Sequence, residues 1–257
     1  LKPSPETVLD HFHALICQIK ESLLQNSQSA CCILELPRSF QNQGNIELIE
    51  NHLSDLKFTL NPNILIRRNH FHLEVTASSM AVRELTCGYT ACLLSEELEK
   101  RLPFPFFAGW GVSFNAVEAY KNAMTALCAC KKDQNHYTYL VTESQEMVGP
   151  LNSNRSISYS LKPHAQTACL AKKLGISPIN LEKIMSLQKE RSMYEFTSND
   201  LVYFLEITPR SASRILSKLS DAGLAHPVRT INLNGTGRPS TVYEADFSSI
   251  KEIWGSR

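Results

Sequence analysis

Residues 207–224, ITPRSASRILSKLSDAGL, decide how the C-terminal part of this chain is read. Thr208-Pro209 is a helix start. The hydroxyl can accept a first-turn N–H, and proline at the first helical position loses no bond it would otherwise make. Ile215, Leu216 and Leu219 form the buried stripe. Arg210, Ser211, Ser213, Arg214 and Lys218 then fall on the outer faces. Asp221-Ala222-Gly223 closes the helix with a glycine cap.

The pattern occurs twice. Leu170 to Gly175, then Ile176-Ser177-Pro178, leads to Ile184-Met185-Ser186. Leu201 to Glu206, then Ile207-Thr208-Pro209, leads to Ile215-Leu216-Ser217. Each copy reads as a helix, a hydroxyl-proline turn and a second helix, which is a helix-turn-helix unit. The second helix of the first copy starts Pro178-Ile179-Asn180-Leu181-Glu182-Lys183, with apolar and acidic residues where the second copy has arginine and serine. After the second copy, residues His226–Leu233 and Thr241–Asp246 read as two strands. Asn234-Gly235-Thr236-Gly237-Arg238-Pro239 joins them.

Small polar residues and arginine at a helix N-terminus suit a major groove. Arginine can bond a guanine edge with two donors, and serine can meet bases or phosphates. A basic hairpin tip suits a minor groove or a phosphate. The candidate DNA-binding residues are therefore Thr208, Arg210, Ser211, Ser213, Arg214, Lys218 and Arg238. The strings ITPRSASRILSKLSDAGL and NGTGRPSTVYE, in this order, resemble the winged helix-turn-helix family of bacterial transcription regulators. That resemblance implies double-stranded DNA as the partner, and a homodimer is expected because pairing doubles a short contact.

Charge supports the assignment once it is divided. The chain is +1 overall, but residues 1–160 carry 13 Lys and Arg against 16 Asp and Glu, and residues 161–257 carry 13 against 9. The basic excess lies with the second part.

Upstream, Val8, Leu9, Phe12, Leu15, Ile16, Ile19 and Leu23 mark an amphipathic helix over Glu6–Leu24. Its face is expected either to pair two copies or to pack on its own sheet. Strands are expected over Ala30–Leu36, Ile64–Arg68, Phe71–Val75, Phe106–Ser113 and, last, Tyr137–Val141. Helices are expected over Ile46–Leu56, Met80–Leu98 and Ala116–Lys132. The polar stretch that follows reads as a linker. The domains expected are 1–27, an N-terminal helix; 28–150, a sheet domain; 151–164, the linker; and 165–257, the winged helix-turn-helix. The fold class expected is α+β, with a ferredoxin-like, nucleotide-cyclase-like sheet domain first.

The segment FFAGWGVSFNAVEAYKNAMTALCACKKDQNHYTYLV, with the strand order before it, resembles the cyclase-like domain of diguanylate cyclases. That family's Gly-Gly-Asp-Glu-Phe hairpin aligns with Arg67 to Leu73. Arg67 matches the preceding arginine, Asn69 and His70 replace the glycines, and Phe71 and His72 replace the two carboxylates. Cyclases need carboxylates to hold Mg²⁺ against a triphosphate. At the end of the first strand only Glu35 offers one. The resemblance therefore implies a degenerate sensor domain, with no catalytic residue and no cofactor. A small anionic or aromatic effector is expected near Arg67, Arg68, His70 and His72.

Eight cysteines contain no C-x-x-C pair, so reduced cytoplasmic thiols are expected. No metal site is expected; His70-x-His72 is the nearest candidate, on one strand face. No P-loop, nucleophile elbow or His-Glu-x-x-His is present. Gly109-Trp110-Gly111 reads as a tight strand. No membrane span and no secretory leader are expected. The chain begins Leu1-Lys2-Pro3 without Met, which leaves room for an upstream domain. Two other readings stand beside the regulator: a nucleotide-processing enzyme with an appended helical domain, and a protein-interaction module.

Overall fold

The computed structural model describes residues 29–60, 63–70, 72–133, 135–231, 239–245 and 247. The expected helix Glu6–Leu24 and the loop carrying Arg238 lie outside the described residues. The chain is mixed α and β. It forms two units, the first running up to Ser144 with Pro150–Ser153, the second made of Gln145–Gly149 and the residues from Asn154 onward.

In the first unit, β1 (Ser29–Glu35) is an apolar run buried on both faces, as suits a central strand. Helix α1 (Gln43–Thr59) starts where the Asn42 side chain accepts the Asn45 N–H at 2.9 Å. Strands β2 (Leu65–Asn69) and β3 (His72–Ser78) form a hairpin. In β3, Leu73, Val75 and Ala77 are buried and alternate with half-buried His72, Glu74 and Thr76. Helices α2 (Ser79–Leu85) and α3 (Leu93–Arg101) lead to β4 (Phe107–Ser113), α4 (Ala116–Lys132) and β5 (Tyr139–Val141). These strands stand in the order β2-β3-β1-β4-β5. All neighbours are antiparallel except β4 and β5, which are parallel.

Residues opposite one another in a sheet share a face, and successive residues alternate. Arg67, Glu74 and Ile33 therefore share one face; Arg68, Leu73 and Leu34 share the other. Helix α4 packs Ala119, Ala123 and Leu127 on Cys31 and Ile33. Glu47 and Glu50 of α1 reach Arg68 on the opposite face, both at 3.7 Å. Gly109 and Gly111 lie under α4. A Cβ at Gly111 would sit 2.1 Å from the Ala119 carbonyl oxygen, and one at Gly109 2.3 Å from the Leu127 nitrogen. The two glycines let helix backbone lie directly on strand backbone.

Two expectations change. The single helix over Met80–Leu98 is two helices, because Cys87, Gly88 and Tyr89 take φ of 45°, 67° and 73°. Three consecutive left-handed residues cannot continue a right-handed helix. Tyr137–Val141 is also not the final strand before the helices. Strands β6 (Glu146–Gly149) and β7 (Ile157–Ser160) pair antiparallel in the second unit. The stretch 151–164 thus contains a strand, anchored by buried Ile157 opposite Gly149. Four-residue strands are too short to show their alternation against a polar background.

The second unit continues with α5 (Ala165–Leu174), α6 (Pro178–Arg191), β8 (Glu195–Phe196), α7 (Ser198–Leu205), α8 (Pro209–Asp221), β9 (Ala225–Ile231) and β10 (Ser240–Ala245). Its core includes Leu181, Ile184, Leu187, Phe196, Leu201 and Leu216. The three-stranded sheet is ordered β8-β10-β9. Among the described residues, no helix is long and apolar enough to cross a membrane.

Candidate nucleic-acid interface

Helix α7 opens with a reciprocal cap. Thr197 accepts from the Asp200 N–H, and the Asp200 carboxylate accepts from the Thr197 N–H at 2.7 Å. It ends at Glu206, whose φ of 57° turns the chain. Two residues later Thr208 caps α8. Its hydroxyl accepts the Ser211 N–H at 3.2 Å and lies 2.9 Å from the Ser211 hydroxyl. The apolar stripe holds Ala212, Ile215, Leu216 and Leu219 in the core. That anchoring fixes which residues face water: Thr208, Arg210, Ser211, Ser213 and Arg214 are all exposed. Neither Arg210 nor Arg214 has an ion-pair partner among the described residues. Two uncommitted guanidinium groups, one helical turn apart, project from a rigid element.

Lys218 stands apart from this group. It is half-buried, and its ammonium donates to the Gly175 carbonyl at the C-terminal end of α5. That end carries the negative pole of the helix, which favours a cation. The bond ties α8 to the end of α5.

Strands β9 and β10 form the hairpin after α8. The joining residues 232–238, Arg238 among them, lie outside the described residues. Residues 226–230 of β9 are all exposed. Arg229 among them pairs both its terminal nitrogens with the Glu195 carboxylate of β8, one of them at 3.0 Å. Sequence reasoning passed over Arg229; its only signal was a basic residue on the strand leading into the glycine-rich loop.

The first copy has the same local build, with Gly175 at φ 61° where the second has Glu206. Its surface is different. Ile179, Asn180, Glu182 and Lys183 are all half-buried. Strand β7 lies against α6: Ser186 donates to the Ser158 carbonyl, Ser158 N–H donates to Glu190 at 3.0 Å, and the Lys183 ammonium sits 4.9 Å from the Tyr159 ring centre. A helix covered in this way has no room to enter a groove.

The residues expected to gather an effector in the first unit are dispersed. Arg67 is exposed on the α4 side and lines a groove of about 520 Å³. Arg68 is on the opposite face with Glu47 and Glu50. His70 lies in the hairpin turn with φ 36°, outside the strand, so it and His72 do not share a strand face. His72 Nε2 and Asn69 Nδ2 both lie 3.1 Å from the Glu74 carboxylate. Glu35, at the end of β1, is paired with Lys131 at 2.7 Å. Among the described residues, no three His, Cys, Asp or Glu side chains converge as a metal site. Burial pushes the Cys31 and Cys130 thiols up to about 12, Glu74 adding to it at Cys31. Both are protonated thiols at neutral pH, poor nucleophiles and poor ligands.

Searches with this sequence match no family model and no curated protein.

Proposed function

We propose that this chain is a sequence-specific DNA-binding transcription regulator that reads double-stranded DNA with α8. One observation carries the reading. The helix is anchored by a buried stripe and a Thr208 cap, and its exposed start offers Arg210, Ser211, Ser213 and Arg214, with both arginines uncommitted. Two helix pairs followed by a two-stranded hairpin support reading the second unit as a winged helix-turn-helix; Arg238, expected at the wing tip, lies outside the described residues. The order β2-β3-β1-β4, all antiparallel, with α4 crossing to a parallel β5, fits a ferredoxin-like, cyclase-like first unit. Its signature hairpin lacks the paired carboxylates of a cyclase, so the reading is non-catalytic.

Selection of bound sequences from random duplex DNA, followed by titration at several salt concentrations, tests this. One enriched motif is expected, with affinity falling as salt rises because bound phosphates release counterions. If no motif is enriched and duplex DNA binds no better at low salt, the protein-interaction reading replaces this one. Metal-dependent turnover of a nucleoside triphosphate would instead favour the enzyme.

A further inference from the structure

The two helix pairs of the second unit differ at one turn position. Gly175 ends α5 with φ 61°, and Glu206 ends α7 with φ 57°. Glycine takes this left-handed conformation freely, whereas a residue with a Cβ takes it at a cost. At Glu206 the side chain brings a partner: its carboxylate accepts from the Arg155 guanidinium at 2.8 Å. The Arg155 side chain is 12% exposed, and its guanidinium also lies 5.7 Å from the Tyr203 ring centre of α7. A pair sheltered in this way is screened less than one on the open surface. Two residues past Glu206, Thr208 starts α8, its hydroxyl and carbonyl accepting the N–H groups of Ser211 and Ala212 at 3.2 and 2.9 Å. Arg155 is itself held on both sides. Upstream, within the first unit, Leu151 is buried and donates to the Thr138 carbonyl at 2.8 Å. Asn152 accepts the Cys92 N–H at 2.6 Å, donates its side-chain amide to Glu96, and donates its own N–H to the Thr90 carbonyl at 3.1 Å. Downstream, the Ser156 carbonyl accepts from Arg191 at 2.7 Å, and Ser158 is bonded to α6. Only Ser153 and Asn154 separate Asn152 from Arg155, a reach of ~10 Å at most.

We propose that Arg155 is a positioning residue for α8: its ion pair with Glu206 fixes the turn from which the helix starts, so that DNA reading depends on a segment the first unit holds three residues away. This rests on α8 being the DNA-reading helix. Two features single the pair out. The turn position takes glycine or asparagine most easily, so a glutamate there trades local ease for a bond to a residue 51 positions away. The bond also reaches the one stretch of the second unit that follows directly on Leu151 and Asn152, both held in the first. The consequence falls on Arg210 and Arg214, in the first two turns of α8. A guanine edge is met by two donors of one guanidinium at once, and hydrogen bonds weaken steeply with misalignment. A helix start released by its turn therefore loses the paired contact before it loses its fold, because Ala212, Ile215, Leu216 and Leu219 remain anchored in the core.

Glu206→Gly in the full-length chain is the discriminating variant. It deletes the ion pair while suiting the left-handed turn better than glutamate does, so the turn itself is kept. Amide exchange without DNA, read residue by residue, is the first measurement. In Glu206→Gly and in Arg155→Met, the N–H groups of Ser211 and Ala212 should exchange about fivefold faster, while those of Leu216 and Leu219 keep their wild-type rates. Affinity for the selected duplex, titrated at fixed salt, should fall about tenfold in each variant, part of what two paired arginine contacts supply. The double variant should bind no more weakly than either single one, since both remove the same link. Wild-type exchange at Ser211 and Ala212 in Glu206→Gly overturns the proposal. Exchange that quickens equally along the whole of α8 overturns it in favour of a pair that only stabilises the fold. So do affinity losses that add in the double variant. If the unaltered chain enriches no duplex, the DNA reading fails, and the exchange rates by themselves still decide whether Arg155 positions α8.

Discussion

Gly111→Ala is the sharpest test of how the first unit is built. The new Cβ would lie 2.1 Å from the Ala119 carbonyl oxygen and 2.2 Å from the Ala123 nitrogen, where ordinary contact begins near 3.4 Å. Both neighbours are backbone, so no side chain can swing away. Helix α4 must retreat by roughly 1.3 Å from a strand it is packed against. Ala119, Ala123, Ala126 and Leu127, all 0–1% exposed, lose contact together. A gap of about 0.5–1 Å forfeits a quarter to a half of a dispersion well, and overpacking typically costs about 1–3 kcal/mol. With no compliant group in reach, the expected loss is about 3 kcal/mol or more. Gly88→Ala is the control. Its Cβ meets nothing within 4 Å, so only its φ of +67° is penalised, by about 1–2 kcal/mol. Urea unfolding, followed by the fluorescence of buried Trp110, measures both. If Gly111→Ala costs no more than Gly88→Ala, the claim that α4 lies directly on β4 is refuted.

Arg210→Ala and Arg214→Ala should each weaken specific DNA binding by about 1–3 kcal/mol, roughly 5- to 150-fold, with unfolding unchanged. Unaltered affinity in both, titrated at fixed salt, removes α8 from the DNA surface. Lys218→Met should instead lower stability by about 1 kcal/mol through the lost bond to the Gly175 carbonyl, visible in urea unfolding without DNA. Stability should also fall in alkali. Cys130 is held up to about 12 by burial against an ordinary 9.0, so above pH 9 the unfolded chain releases a proton the folded one keeps. Its share of the loss runs from pH 9 towards 12 at about 1.4 kcal/mol per pH unit, alongside that of Cys31, and Cys130→Ala should lessen the slope by about that share in unfolding titrations at pH 8.5 and 10. A slope unchanged by that substitution removes this thiol from the effect.

What the sequence determined by itself is what local spacing encodes. The stripe Ile215, Leu216, Leu219 placed Arg210 and Arg214 outside, and Thr208-Pro209 started the helix that carries them, because a helix face is set by neighbours three and four residues away. The helix expected over Ala116–Lys132 forms over those residues. Arg67 and Arg68 are consecutive on a strand and so part to opposite faces, which separates two residues expected to share one site. Other features had no local signal. Cys87 and Tyr89 in left-handed geometry break the helix expected over Met80–Leu98, because surrounding structure, not their own preference, holds them there. The outer residues of the two copies already differ in the sequence, with Arg210 and Arg214 only in the second. What tertiary structure decided is how the first is covered: β7 lies over α6 while the start of α8 meets water, and what covers a helix comes from residues distant in the chain.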